Sequence, residues 1–177
     1  MTPDNLEKIK SAIRNVPDFP KAGILFKDIS TALKHPALLK LIVEDMAEHY
    51  CRAGITKVVA VESRGFITGG ALACKLGAGF IPVRKPGKLP AETFSQTYSL
   101  EYGTDTLEIH KDALEPGDVV LLHDDLLATG GTSLATIELI KNFHIRSISI
   151  SFIVELDFLH GRSRISPPYE VYSQVHF

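Results

Sequence analysis

The sequence lacks the motifs that mark the most common nucleotide-binding and hydrolase folds. No GxxxxGK[ST] run is present, which argues against a P-loop nucleotidase, and no GxGxxG follows a predicted strand, so a dinucleotide-binding fold has no fingerprint. The GxSxG elbow that presents a nucleophilic serine is also missing. Any phosphate site in this chain must therefore be built in another way.

Cysteine is scarce, since the chain contains only Cys51 and Cys74. They stand far apart and form no CxxC pair, so the sequence predicts neither a disulfide framework nor a zinc site. We expect both side chains to pack as small apolar groups.

Long apolar runs and an excess of charge of one sign are lacking as well. No segment approaches the roughly 20 apolar residues that a membrane span needs, and the N-terminal MTPDNLEKIK is too polar for a secretory signal. The net charge of −2 argues against a broad nucleic-acid or membrane surface. We therefore expect a cytoplasmic protein with no nucleic-acid or membrane partner.

What the chain does contain is an alternation of predicted strands and helices. With 45% hydrophobic and 23% charged residues, its 177 residues suffice for one domain with a core. The patterns predict helices at 6–15, 36–52 and 67–76, and strands at 57–61, 80–83, 106–110, 146–154 and 171–175. This order predicts an α/β fold, a mostly parallel twisted sheet with helices on both faces. We assign a single domain (1–177) with a small N-terminal hood (1–35) and a mobile lid loop (84–105).

Residues 119–142, VVLLHDDLLATGGTSLATIELIKN, are the most informative stretch. The apolar run at 119–122 predicts a strand buried on both faces, which we expect to end in an acidic turn at Asp124 and Asp125. A glycine-rich loop and a predicted helix follow. Because N–H groups and hydroxyls converge at such a helix N-terminus, the loop predicts a phosphate cradle. Its residues are Ala128, Thr129, Gly130, Gly131 and Thr132.

Each of these features also has a plainer interpretation. Thr132 or Ser133 could simply cap the helix, and adjacent aspartates in a loop are usually solvated. Their combination directly after a buried strand favours a binding site. In that site, the two carboxylates would hold the hydroxyls of a phosphorylated sugar.

The segment DDLLATGGT resembles the phosphoribosyl-diphosphate motif of the type I phosphoribosyltransferases, and in particular of their adenine-specific branch. ESRGF (62–66), RKPGKLP (84–90) and YSLEYGTD (98–105) resemble further motifs of that branch in the same order. The resemblance implies the type I phosphoribosyltransferase fold and a purine-salvage reaction, in which adenine and phosphoribosyl diphosphate give AMP and pyrophosphate through an oxocarbenium-like transition state. It also implies a homodimer, and Mg²⁺ held mainly by substrate and water near Asp124 and Asp125, which bind the ribose.

By the same resemblance, a group of cations binds the diphosphate. Arg64 would aim a planar fork at phosphate oxygens, although a surface arginine paired with Glu62 is the plainer alternative. The family often has a strained or cis non-proline peptide in this loop, so we expect an unusual peptide at 62–64. The other cations of the group are Arg84, Lys85 and Lys88 of the lid, and Lys27, which stands where the family usually has arginine. Arg84 would reach across a dimer interface into the neighbouring site.

The resemblance also assigns the residues that handle the base. Glu101 matches the proposed catalytic glutamate and would move a proton to or from the purine; a solvated loop carboxylate is the alternative. Phe26 would stack on adenine while backbone groups of Leu25 and Lys27 read the purine edge, although Phe26 could instead anchor the core. His123 replaces a more usual aliphatic residue, and we expect it to pack within its strand.

Two other functions stay open at this point. A phosphoribosyltransferase for a 6-oxo purine (hypoxanthine, guanine or xanthine) would share the phosphate machinery. A regulator that senses phosphoribosyl diphosphate without turning it over is disfavoured, because the chain shows no spare helix-turn-helix and is slightly acidic.

Overall fold

Nine strands and six helices are present in the computed structural model, which describes residues 1–99 and 103–177. In chain order the elements are α1 (Pro3–Ala12), β1 (Arg14–Pro17), β2 (Leu25–Asp28), α2 (Ser30–Leu33), α3 (Pro36–Tyr50), β3 (Lys57–Val61), α4 (Arg64–Leu76), β4 (Gly79–Val83), β5 (Thr93–Ser99), β6 (Thr104–His110), β7 (Val119–Leu127), α5 (Gly131–Ile140), β8 (Ser147–Glu155), a short 3₁₀ turn (Asp157–Leu159), α6 (Gly161–Ile165) and β9 (Glu170–His176).

The central sheet contains five strands in the order β4-β3-β7-β8-β9, and every neighbouring pair is parallel. The predicted α/β class with a mostly parallel sheet is therefore confirmed. Two antiparallel hairpins lie outside this sheet: β1–β2 in the hood, and β5–β6, of which β5 belongs to the segment that we assigned to the lid whereas β6 extends beyond it. Among the helices of the described residues, none has the length and apolar character that a membrane crossing requires.

The core has two halves, one on each face of the sheet, because successive strand residues point to opposite faces. Val59 of β3 and Leu122 of β7 belong to the half that contains α5 and the β5–β6 hairpin. Their neighbours Val58 and Leu121 belong to the other half, which contains α1, α3 and α4. Burial on both faces explains why β3 and the start of β7 read as continuous apolar runs.

Helix ends follow local sequence signals. Thr2 caps α1 by accepting a hydrogen bond from the Asn5 amide, and Pro3 and Pro36 occupy first-turn positions of α1 and α3, where proline loses no intrahelical hydrogen bond. Helix α4 ends at Gly77, whose φ of 67° lies in the left-handed region that favours glycine.

The prediction that the strand after Val119 ends before an acidic turn is wrong. Strand β7 continues through Asp124 and Asp125 to Leu127, and it stays paired with β8 as far as the Leu127–Glu155 position. In this part of the strand Asp125 and Leu127 point to the same, buried side. The packing of Leu127 in the core therefore keeps the chain extended past the two aspartates.

Other local predictions also need correction. The strands predicted from the sequence include none between residues 14 and 30, but β2 forms a four-residue hairpin strand with β1. The polar segment 93–99 showed no strand pattern, yet it pairs with β6 along its whole length. Cys51 and Cys74 are both exposed rather than packed as apolar groups.

The direction in which successive strands are added to the sheet reverses between β3 and β7. From β3 the chain proceeds outward to β4, whereas from β7 it proceeds the other way to β8 and β9. In open α/β sheets, the crevice at the carboxyl ends of the strands beside such a switch point is where ligands bind. The fold thus leaves one place at the edge of the sheet open for a site.

Two adjacent glycines in α4 provide a test of how closely this helix packs on the sheet. A Cβ atom on Gly69 would lie 2.7 Å from the Cβ of Ala60 in β3, whereas a Cβ on Gly70 would meet nothing within 4 Å. We expect Gly69→Ala to lower the free energy of unfolding by about 2 kcal/mol through overpacking. Gly70→Ala, the matched control, should raise it by up to about 1 kcal/mol through helix propensity. Urea denaturation measures both, and equal effects of the two substitutions would contradict the packing argument.

Candidate active site

The candidate site lies where β3 and β7 run side by side toward their carboxyl ends. The two strands are paired up to the Ala60–His123 position. After β3, the peptide bond between Glu62 and Ser63 is cis, as predicted for residues 62–64, and α4 begins at Arg64. Asp124 and Asp125 therefore lie beside the N-terminus of α4.

The two carboxylates occupy a desolvated position. Asp125 is only 5% exposed, and its amide donates to the Asp124 carboxylate over 2.9 Å. Burial raises the pKa of both carboxyls, and the charge of Asp125 raises the pKa of Asp124 further. A pair of this kind favours a ligand that brings positive charge or hydrogen-bond donors.

Arg64 is the cation that faces this pair. Its Nε atom lies 3.0 Å from Oδ2 of Asp125, so it pairs with that residue rather than with Glu62. Its charge opposes the rise in the pKa of Asp125 that burial causes. Asp125 Oδ2 nevertheless has no hydrogen bond of good geometry among the described residues, so it keeps an acceptor for a ligand hydroxyl.

Gly65 lets α4 approach the carboxylates closely. A Cβ atom at this position would lie 2.9 Å from Oδ1 of Asp124 and 3.3 Å from its Cα. The ESRGF motif therefore contributes to the site in two ways: Arg64 supplies a charge, and Gly65, which has no side chain, lets the helix backbone lie close to Asp124.

The loop at 128–132, which we call the phosphate loop, has the geometry predicted for a helix N-terminus. Gly130 has a φ of 80°, which favours glycine, and α5 begins at Gly131. Ala128 and Thr132 line the same cleft as the two carboxylates.

This polar cleft has a volume of about 350 Å³. It brings together five polar side chains that the sequence analysis singled out, namely Arg64, Lys85, Asp124, Asp125 and Thr132, and it adds Tyr98 from β5 and Asp105 from β6. Its lining comprises Val61, Glu62, Ser63, Arg64, Lys85, Tyr98, Asp105, Leu107, Asp124, Asp125, Leu126, Ala128 and Thr132.

An apolar cavity of about 420 Å³ adjoins the polar cleft, within the size range of small-molecule pockets. It is lined by the hood, by Arg64 at the start of α4, and by residues at or just beyond the ends of β7 and β8. These are Pro20, Lys21, Ile24, Leu25, Phe26, Lys27, Arg64, Leu126, Ala128, Thr129, Leu156 and Leu159. Arg64, Leu126 and Ala128 line both spaces, and the Arg64 guanidinium carbon lies 5.1 Å from the ring centroid of Phe26.

Among the other predicted cations, Arg84 and Lys85 each pair with a carboxylate. Arg84 donates to the Glu62 carboxylate over 2.8 Å, and Lys85 lies 3.0 Å from Asp105. The exposed side chain of Lys88 stands outside the cleft lining.

Lys27 differs from these cations because its side chain is buried. Its ammonium donates to Asn15 over 2.7 Å and lies 3.8 Å from the Phe177 ring centroid. A diphosphate contact by Lys27 would require its ammonium to leave both partners.

Sequence reasoning quoted Tyr98 only as the first residue of YSLEYGTD and gave it no function, but its hydroxyl lies 3.3 Å from the Thr132 hydroxyl and links β5 to the phosphate loop. No strand pattern marked this segment, so only the pairing of β5 with β6 places Tyr98 in the cleft. Glu101, the predicted acid/base, lies outside the described residues.

His123 packs inside the sheet below the site, as expected. It is completely buried, with Nε2 2.8 Å from the Thr68 hydroxyl in α4 and Nδ1 2.9 Å from the Ser151 hydroxyl in β8. Burial lowers the pKa of its imidazole to about 4, so the ring is neutral near pH 7.

Comparisons with known proteins agree with this geometry. Residues 29–175 match the family model described as "Phosphoribosyl transferase domain". The adenine phosphoribosyltransferase of Pelobacter propionicus is 54% identical over 97% of this chain and 99% of its own length. A crystal structure of the Rhodothermus marinus adenine phosphoribosyltransferase superposes with a TM-score of 0.94 at 52% identity, covering 99% of this chain and all of that one. The Saccharomyces cerevisiae adenine phosphoribosyltransferase, solved with adenine and an imino-altritol bisphosphate, gives a TM-score of 0.92 at 39% identity, covering 98% of this chain and 100% of that one.

The buried His123 predicts a pH dependence of stability. Its pKa falls from 6.5 in the unfolded chain to about 4 in the fold, so the unfolded state binds the proton first as pH decreases. The stability due to neutral His123 is complete above about pH 7 and is lost between pH 6.5 and 4, by about 3 kcal/mol in total. The raised pKa values of Asp124 and Asp125 make the fold more stable as pH falls, which is opposite to the effect of His123. The His123 contribution must therefore be isolated by comparison with His123→Gln, in which both aspartates remain. The difference in unfolding free energy between the two proteins should shrink as pH falls, and parallel curves would contradict the assignment.

Proposed function

Because the chain belongs to the family of phosphoribosyl transferase domains, we propose that it transfers the phosphoribosyl group of 5-phosphoribosyl 1-diphosphate to adenine. The products are AMP and pyrophosphate, which places the reaction in purine salvage. High identity to adenine phosphoribosyltransferases over almost the whole chain supports the choice of base.

The adjoining cavities are the observation that carries this proposal. The apolar cavity offers Phe26 and leucine side chains to a flat heterocycle, and the polar cleft offers carboxylates and the phosphate loop to a phosphorylated sugar. They meet at Arg64, Leu126 and Ala128. A base and a sugar held in these spaces come together where the glycosidic bond forms.

The phosphate loop anchors the sugar. Backbone N–H groups and hydroxyls of residues 128–132 bind the 5′-phosphate at the N-terminus of α5, and Asp124 and Asp125 accept hydrogen bonds from the ribose hydroxyls. As the anomeric carbon loses pyrophosphate it becomes oxocarbenium-like. The adjacent carboxylates then stabilise the developing positive charge in a place from which water is largely excluded.

Cations around the cleft bind the diphosphate. Arg64 and Lys85 already line it. Arg84 and Lys88 belong to the lid (84–105), whose closure would bring further cations to the diphosphate and exclude water. In the dimer that we propose, Arg84 would exchange its present partner Glu62 for the diphosphate of the neighbouring site.

The donors in the cleft fit Mg²⁺, which prefers oxygen ligands and keeps several waters. Substrate oxygens and water would hold it near Asp124 and Asp125, and Asp125 Oδ2 has no hydrogen bond among the described residues. When bound, Mg²⁺ would offset the negative charge of the departing diphosphate.

The base is held and deprotonated by separate groups. Phe26 stacks on adenine, and backbone groups of Leu25 and Lys27 bind its polar edge. Glu101 acts as the general acid/base that removes the proton from the attacking purine and returns it in the reverse reaction. We propose that the enzyme works as a cytoplasmic homodimer.

Pyrophosphate release with Mg²⁺, phosphoribosyl diphosphate and each purine base in turn tests the proposal directly. We expect turnover with adenine alone. Turnover with hypoxanthine, guanine or xanthine would leave the phosphate site intact and show that the cavity at Phe26 is misassigned. If no base reacts while phosphoribosyl diphosphate binds tightly, the chain is a sensor rather than an enzyme.

Two substitutions separate the proposed functions of the carboxyl groups. Asp125→Asn removes charge next to the anomeric carbon, so kcat/KM should fall about a hundredfold. Glu101→Gln removes the proton acceptor, so kcat should fall about a hundredfold while the KM for phosphoribosyl diphosphate stays nearly unchanged. Steady-state kinetics with both substrates varied measures each effect. Unchanged catalytic efficiency in either variant contradicts the function proposed for that residue.

A further inference from the structure

Helix α6, to which the sequence analysis assigned no function, lies directly against the phosphate loop. The Nη1 atom of Arg164 in α6 donates to the backbone carbonyl of Thr129 over 2.7 Å. Arg164 is exposed, so water could hydrogen-bond its guanidinium and desolvation does not force it to pair with a protein group. The hydrogen bond instead holds one peptide of the loop in a defined orientation.

The helix is short, and contacts with the sheet hold it in place. Arg162 donates from Nε and Nη2 to the Glu155 carboxylate at the end of β8, and from Nη1 to the Val171 carbonyl in β9 over 2.7 Å. Ile165 at its other end is 1% exposed and belongs to the core. Helix α6 is therefore a fixed support rather than a loosely attached segment.

A pair of glycines brings the backbone of α6 and that of the phosphate loop into direct contact. A Cβ atom on Gly161 would overlap the carbonyl oxygen of Ala128. Reciprocally, a Cβ on Gly130 would lie 3.0 Å from the carbonyl oxygen of Gly161 and 3.5 Å from the side chain of Ile165. The fit leaves no room for the loop to move toward α6.

These contacts constrain the loop amides. In a trans peptide the C=O and N–H groups point in opposite directions. Because the carbonyls of Ala128 and Thr129 face α6, the N–H groups of Thr129 and Gly130 face away from it, as an anion cradle requires. The guanidinium also polarises the Thr129–Gly130 peptide, which strengthens its N–H as a donor.

We propose that Arg164 is a positioning residue for the 5′-phosphate, and that α6 is the support which presents the loop amides to it. The proposal deepens the proposed function, on which it rests, by naming the residues that shape its phosphate subsite. Arg164 acts through the Thr129 carbonyl.

Arg164→Met and Arg164→Lys test this proposal, with Arg146→Met as the matched control because Arg146 is an exposed arginine directly before β8. Isothermal titration with ribose 5-phosphate and, separately, with adenine measures the two subsites. We expect Arg164→Met to weaken ribose 5-phosphate binding about tenfold, as loss of a charge-assisted hydrogen bond predicts. The KM for phosphoribosyl diphosphate should rise by a similar factor. Adenine binding should change much less, because Thr129 is one of twelve residues that line the apolar cavity. Arg164→Lys should recover part of the loss, and Arg146→Met should match the unmodified protein.

Two results would overturn the proposal. One is unchanged affinity of Arg164→Met for ribose 5-phosphate, and the other is an equal loss of affinity for ribose 5-phosphate and adenine, which would indicate a general structural effect. Gly161→Ala provides a second, more disruptive variant that should shift the same affinity in the same direction if it folds.

Failure of the proposed function gives a different pattern. If the unmodified protein shows no turnover with adenine but Arg164→Met still weakens ribose 5-phosphate binding, the support function of α6 stands and only the assigned reaction is wrong.

Discussion

Parallel pairing of β3 with β7 is the constraint on which the candidate site depends. The pairing extends to the Ala60–His123 position, so whatever follows each strand must meet at one edge of the sheet. Since the chain leaves β3 and β7 in opposite directions, no strand connection crosses the crevice between them. Arg64 and Asp125 are distant in sequence and yet approach within 3.0 Å. The cleft exists because two strand ends are adjacent and uncovered.

Charge in the site is incompletely balanced. Burial raises the pKa of both carboxyl groups, the charge of Asp125 raises the pKa of Asp124 further, and the Arg64 guanidinium opposes the rise at both. Such a centre binds cationic or hydroxyl-rich groups more readily than a solvated pair would, because folding has already removed water from the carboxylates. Arg64 also contacts the Phe26 ring, so one side chain connects the wall of the apolar cavity with the carboxylates.

The scaffold below the site combines close backbone packing with buried polar links. Gly65 and Gly69 allow α4 to lie against β7 and β3 at distances that a Cβ atom would prevent. His123 connects Thr68 of α4 with Ser151 of β8 through both ring nitrogens. Fully satisfied polar networks of this kind hold their elements in one arrangement, and catalysis that depends on positioning needs this rigidity.

The family resemblance assigned Arg64 and Lys85 to the site, and the sequence by itself determined the alternating α/β order, the bounds of β3 and the glycine loop before α5. These features are local, because strand and helix periodicity and the left-handed glycine conformation depend on neighbouring residues. It did not predict that β7 continues to Leu127 or that Tyr98 enters the cleft, because strand pairing outweighed the weak local signals. Only the tertiary structure decided which charges meet. Arg64 faces Asp125 rather than Glu62, and Arg164 holds the Thr129 carbonyl, because sheet pairing and helix packing join segments that sequence spacing leaves unrelated.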